Sequence, residues 1–136
     1  MKSPIGANTW IWVSPLTDER LAALARRVRG FGFDVIELPI ENLGDWDPGR
    51  ARDLLDRLGL HATTCAVMSP DRDLVSDDRA VIESTQAYIR GATDMAAAVG
   101  ADVFTGGENV ADGREGACGG HRPVGREPPT ARRLRR

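Results

Sequence analysis

Up to about residue 105 the apolar positions switch back and forth between two periods. Ile5 to Val13 (IGANTWIWV) alternates and is rich in aromatic and β-branched residues, which predicts a first strand. Thr17 then caps a helix with Asp18 and Glu19 in its first turn, and Leu21, Leu24, Ala25 and Val28 form one apolar stripe at helical spacing. Gly30 and Gly32 close that helix. Val35 to Leu38 is a short apolar run with a carboxylate embedded in it, and Pro39 is expected to stop its ladder. Asp47 before Pro48 signals the next helix, with Ala51, Leu54, Leu55 and Leu58 as its stripe and Gly59 as its stop. His61 to Val67 (HATTCAV) predicts the third strand. After the loop MSPDRDLVS, a long helix is expected from Ser76 with Asp77 and Asp78 in its first turn. Its period runs through Val81, Ile82, Thr85, Tyr88, Ile89, Ala92, Met95, Ala96 and Val99 to Gly100, and Ala101 to Thr105 opens a fourth strand.

The unit helix, glycine, strand repeats at Gly32, Gly59 and Gly100. Strands alternating with helices predict a parallel sheet, either doubly wound or part of a (β/α)8 barrel. No G-x-G-x-x-G follows the first strand and no Walker Gly-Lys-Ser/Thr occurs. The nucleotide-binding sheet therefore lacks its phosphate loop, and the barrel is the better reading. A whole barrel needs about 250 residues, so the expected fold is the N-terminal half of a (β/α)8 TIM barrel, with about four parallel strands and three helices, followed by a disordered tail.

Composition changes the picture at one seam. Residues 106–136 hold seven Gly, seven Arg and three Pro but only Val110, Val124 and Leu134 as larger aliphatics, too few to build a core. The expected organisation is a partial barrel domain over 1–105 and a low-complexity tail over 106–136, with a frameshift in GC-rich coding DNA as the explanation of the tail. Charge divides at the same place: the tail carries +3 and residues 1–105 carry −5. An acidic body disfavours nucleic acid as a partner. Cys65 and Cys118, one on each side of the seam, form neither a disulfide framework nor a metal-ligand spacing. The broken Trp-Ile-Trp-Val run is too short to span a bilayer, and a cytoplasmic protein is expected. Four strands alone would leave open edges, so self-association is expected as well.

Glu37 sits at the exit of the second strand, where parallel α/β proteins place their chemistry. At these residues the chain resembles the xylose-isomerase-like barrel superfamily, in particular the sugar phosphate isomerase/epimerase and ketose 3-epimerase group. The resemblance runs from Ile5 to about Thr105 and rests on the opening strand with Trp12, on GFGFDVIELPIEN, LGLHATTC, SPDRDLVSDD and AAAVGADVF. It implies metal-assisted proton transfer on a ketose or sugar phosphate. A divalent Mn, Mg or Co ion, held by two Glu, an Asp and a His, would polarise the oxygens while a carboxylate moves the proton. Those ligands lie on strands five to eight of the family, so none is carried over. This chain is expected to bind no metal itself, to contain no catalytic residue and to be inactive alone.

What the resemblance implies for this chain is pocket wall: Trp12, Glu37 and Cys65 as substrate-binding residues. Each has a structural alternative, a core Trp, a Glu paired inside the barrel and a small buried Cys. His61 begins its strand and so falls on the stability face. Asp71 and Asp73 around Arg72 read as a solvated loop with local turn bonding, and His121 with Cys118 lacks a zinc ligand set. Two other functional classes stay open: a half-barrel interaction or binding module, and a fragment of the related AP-endonuclease barrels, which the acidic body opposes.

Overall fold

The computed structural model describes residues 3–106. The tail, its frameshift explanation and the Cys118/His121 pair lie outside the described residues, apart from Gly106. The elements are β1 (Gly6–Asn8), a 3-10 turn (Thr9–Ile11), α1 (Asp18–Gly30), β2 (Val35–Ile40), α2 (Pro48–Leu58), β3 (His61–Ala66), α3 (Arg79–Val99) and β4 (Val103–Gly106). The strands form one parallel sheet in the order β1-β2-β3-β4. Sequential order is what a barrel wall requires, whereas a doubly wound sheet reverses its order at a switch point. The helices pack as a row, α1 on α2 and α2 on α3, so they cover the same face of the sheet.

That face holds the core. Leu21, Leu24, Ala25 and Val28 of α1, Ala51 and Leu55 of α2, and Tyr88, Ala92 and Val99 of α3 are buried with Ala7, Ile36, Leu38, Ile40, Ala62 and Ala66 of the strands. The caps follow the sequence pattern. Thr17 Oγ1 accepts from the Arg20 N–H and Asp47 Oδ1 from the Arg50 N–H, and Gly59 and Gly100 take the left-handed conformation that ends α2 and α3.

Several boundaries differ from expectation, and three of them have a clear physical cause. The first strand ends at Asn8 rather than Val13, because the Asn8 side chain accepts from the Trp10 N–H at 2.7 Å and Thr9 O accepts from Trp12 and Val13, winding the chain into a turn. The second strand runs through Pro39 to Ile40. Since β1 has stopped at Asn8, Pro39 is not flanked by a strand on that side, and its carbonyl accepts from Trp46 Nε1 instead. The long helix begins at Arg79, with Asp78 as its cap accepting from the Ala80 N–H, while Ser76 Oγ accepts from the Asp78 N–H in the turn before it.

Candidate functional site

The face of the sheet turned away from the helices carries the odd partners of the buried set: Asn8 on β1, Glu37 on β2, Thr63 and Cys65 on β3, Val103 and Thr105 on β4. Period-two alternation puts them there, and the register aligns them, Asn8 beside Glu37, Glu37 beside Thr63, Cys65 beside Thr105. Asn8 Nδ2 donates to Glu37 Oε2 at 2.6 Å and lies 4.0 Å from Cys65 Sγ. All three side chains are half-buried. The structure thus brings two of the three expected pocket residues, Glu37 and Cys65, onto one polar row, through an asparagine that the sequence reading left inside the first strand.

Trp12 is not part of that row. It lies beyond the 3-10 turn, half-buried, stacked on Phe31 with ring centroids 6.4 Å apart and planes 22° apart, and packed against the core cluster.

The carboxyl ends of the strands add a second polar cluster. Glu41, just past β2, accepts from Trp10 Nε1 at 3.0 Å and from Ser14 Oγ at 2.9 and 2.8 Å. Arg72 Nη1 donates to the carbonyls of Glu41 (2.8 Å) and Val67 (2.6 Å), and its guanidinium lies 3.6 Å over the Tyr88 ring. The Tyr88 hydroxyl donates to Ile40 O and accepts from the Val67 N–H at 2.8 Å. Burial pushes that hydroxyl above its ordinary pKa, against the opposing pull of the Val67 N–H and Arg72. Together Arg72 and Tyr88 tie the ends of β2 and β3 to the loop that follows β3.

The loop's other charges behave as expected. Asp73 Oδ1 accepts from the Val75 N–H in a local turn, and Asp71 is held below the usual carboxylate range chiefly by the Ser69 hydroxyl. Arg72 between them is the exception to the solvated-loop reading. His61 lies at the amino end of β3 beside Asp102 at 3.6 Å, with most of its side chain exposed.

Sequence reasoning missed Asn8, Glu41, Arg72 and Tyr88 as site residues. The N-T-W turn after a short apolar start was a readable signal for Asn8. Tyr88 was counted in the apolar stripe, and nothing local marked its hydroxyl for strand ends about fifty residues away in sequence, Ile40 being 48 positions distant.

Among the described residues no three His, Cys, Asp or Glu side chains converge to hold a metal ion, and Glu37 is engaged by an amide. The described residues therefore do not by themselves form a divalent-metal site.

A single parallel sheet in sequential order, helices along one face and polar residues along the other, defines the wall of a (β/α)8 barrel. No family model matches the chain. It is 28% identical over 102 residues to a ketose 3-epimerase from Arthrobacter globiformis, a match covering 75% of this chain and 35% of that protein. A D-allulose 3-epimerase from Methylomonas sp. is similar in structure with a TM-score of 0.70 and 25% identity, over 76% of this chain and 36% of its own. A protein of Anabaena variabilis shares the fold with a TM-score of 0.63 at 19% identity, over 76% and 37%. The chain therefore spans about a third of the length of these relatives, 35% for the curated one. In sequence and fold together the chain is similar to the N-terminal part of ketose 3-epimerase barrels.

Proposed function

We propose that the described residues form the sugar-facing wall of a sugar epimerase or isomerase barrel, binding the hydroxyls of a ketose along Asn8, Glu37 and Cys65. The observation that carries this is the polar row itself: a carboxylate and an amide joined at 2.6 Å on the open face of the sheet, in a chain similar to ketose 3-epimerases. A carboxylate and an amide together supply the acceptor and donor groups that a polyol needs. Trp12 enters as a wall residue beside β1. On this reading proton transfer needs acid, base and any divalent metal from strands beyond β4, so the chain by itself binds without turning over, in a cytoplasmic setting.

The test is a titration of the full chain with D-fructose and D-allulose, followed by amide NMR, beside an assay for interconversion of the two sugars. Shifts confined to β1, β2 and β3, abolished by Glu37→Gln and without turnover, are expected. Turnover by the chain alone, or shifts that ignore Glu37, would defeat the reading.

A second reading rests on the sheet edges. Among the described residues β1 and β4 each pair on one side only, and open edges recruit further strands. An interaction module would then show stable oligomers by light scattering, whereas a compact monomer with unfolding independent of concentration counts against it.

A further inference from the structure

Trp10, rather than Trp12, is the exposed tryptophan of the turn after β1, with 41% of its surface open to solvent. An exposed indole is ordinarily free to turn, but this one is held at three levels. Its backbone N–H donates to Asn8 Oδ1 at 2.7 Å, the same asparagine whose amide nitrogen serves Glu37. Its Nε1 donates to Glu41 Oε1, a carboxylate that Ser14 Oγ contacts at both oxygens. The Glu41 carbonyl is in turn gripped by Arg72, which sits on the Tyr88 ring. Four chain segments, the turn after β1, the loop before α1, the end of β2 and the loop after β3, thus converge to fix one indole plane at the carboxyl end of the sheet.

A rigid aromatic with its polar tip satisfied and much of its surface exposed offers large contact area at little conformational cost. Its hydrogen-bonding partner is the Glu41 carboxylate, and the Arg72 guanidinium lies beside it, so the rim carries both signs of charge near the ring. We propose that Trp10 is a stacking platform for the C–H face of an uncharged polyhydroxy ligand, with Glu41 as the residue that positions it and accepts from ligand hydroxyls. This rests on the ketose-binding reading above and adds to it a second contact, at the rim instead of on the sheet.

The full chain is titrated with D-allulose while its Trp indole N–H signals are followed by NMR, Trp10 being assigned by the signal lost in Trp10→Phe. The Trp10 signal is expected to move with the ligand. Trp10→Ala should weaken binding about tenfold, the upper end of one aromatic contact, with Trp10→Phe retaining most of it. Circular dichroism checks that each variant keeps the wild-type spectrum. If wild type binds, Glu37→Gln abolishes binding and Trp10→Ala leaves it unchanged, the platform is wrong and the sheet-face reading stands. If D-allulose moves no signal in the wild-type chain, both fall together.

Discussion

The two faces of the same four strands are built on opposite principles. Along β2, Ile36, Leu38 and Ile40 turn to the helices and are fully buried, while Glu37 between them turns the other way and meets Asn8. One face excludes water with aliphatic side chains; the other offers an amide, a carboxylate, a thiol and threonine hydroxyls. Burial is therefore concentrated on one side and hydrogen-bonding groups on the other.

Adjacent residues can break this contrast most sharply. Leu38→Ala should destabilise the chain by about 3 kcal/mol through lost burial and an unfilled cavity, read from the urea midpoint. An unchanged midpoint would mean that the helix-covered face is not the core.

Tyr88→Phe comes next, with a cost of about 1 kcal/mol, because it removes the hydroxyl bonded to both the Val67 N–H and the Ile40 carbonyl and leaves them only their mutual 3.3 Å bond. The same substitution has a pH signature. Burial raises the Tyr88 pKa in the folded chain, so the unfolded chain ionises first, near the ordinary 10.0. Stability from this group is complete below that pH and is lost as pH rises on through the folded value. Thermal melts at rising alkaline pH should show that loss in wild type and less of it in the Phe variant.

A comparable effect of opposite sign is expected at Thr64. Its side chain faces the helices, fully buried, and among the described residues its Oγ1 is a buried polar atom without a hydrogen-bond partner. Thr64→Val keeps the shape and removes an unsatisfied hydroxyl, so it should stabilise by about 1 kcal/mol. Destabilisation by that amount would show the hydroxyl to be bonded in solution. Smallest of all is Glu37→Gln on the open face, which should shift stability by no more than about 0.5 kcal/mol while removing ketose binding. A large loss of stability there would make Glu37 a structural residue and erase the distinction between the faces.

Much of the fold was legible because its signals are local. Thr17, Asp47, Gly59 and Gly100 mark helix ends through bonds made within a few residues, and the α1 stripe Leu21, Leu24, Ala25 and Val28 is the set buried in the structure. The first strand was misjudged where two local signals competed, since alternation favoured extension through Val13 while the Asn8 side chain favoured a turn. Pro39 was misjudged for a different reason: whether a proline interrupts a ladder depends on what lies beside it, and β1 had already ended.

The candidate site was legible only in part. Glu37 could be singled out as a carboxylate at a strand exit, whereas Cys65 and Trp12 came only with the family resemblance. The meeting of Glu37 and Cys65 through Asn8, the Glu41 clamp on Trp10 and the reach of Tyr88 to Ile40 were not legible at all, since these contacts join residues 29, 31 and 48 positions apart. The sequence by itself determined the order of strands and helices, the caps at Thr17, Asp47, Gly59 and Gly100, and the division of each strand into an apolar and a polar face. Those depend on backbone geometry and side-chain period over a few residues. Only the tertiary structure decided which polar residues share the open face as neighbours and which tryptophan is held at its rim, because strand register and loop convergence set distances that no local period contains.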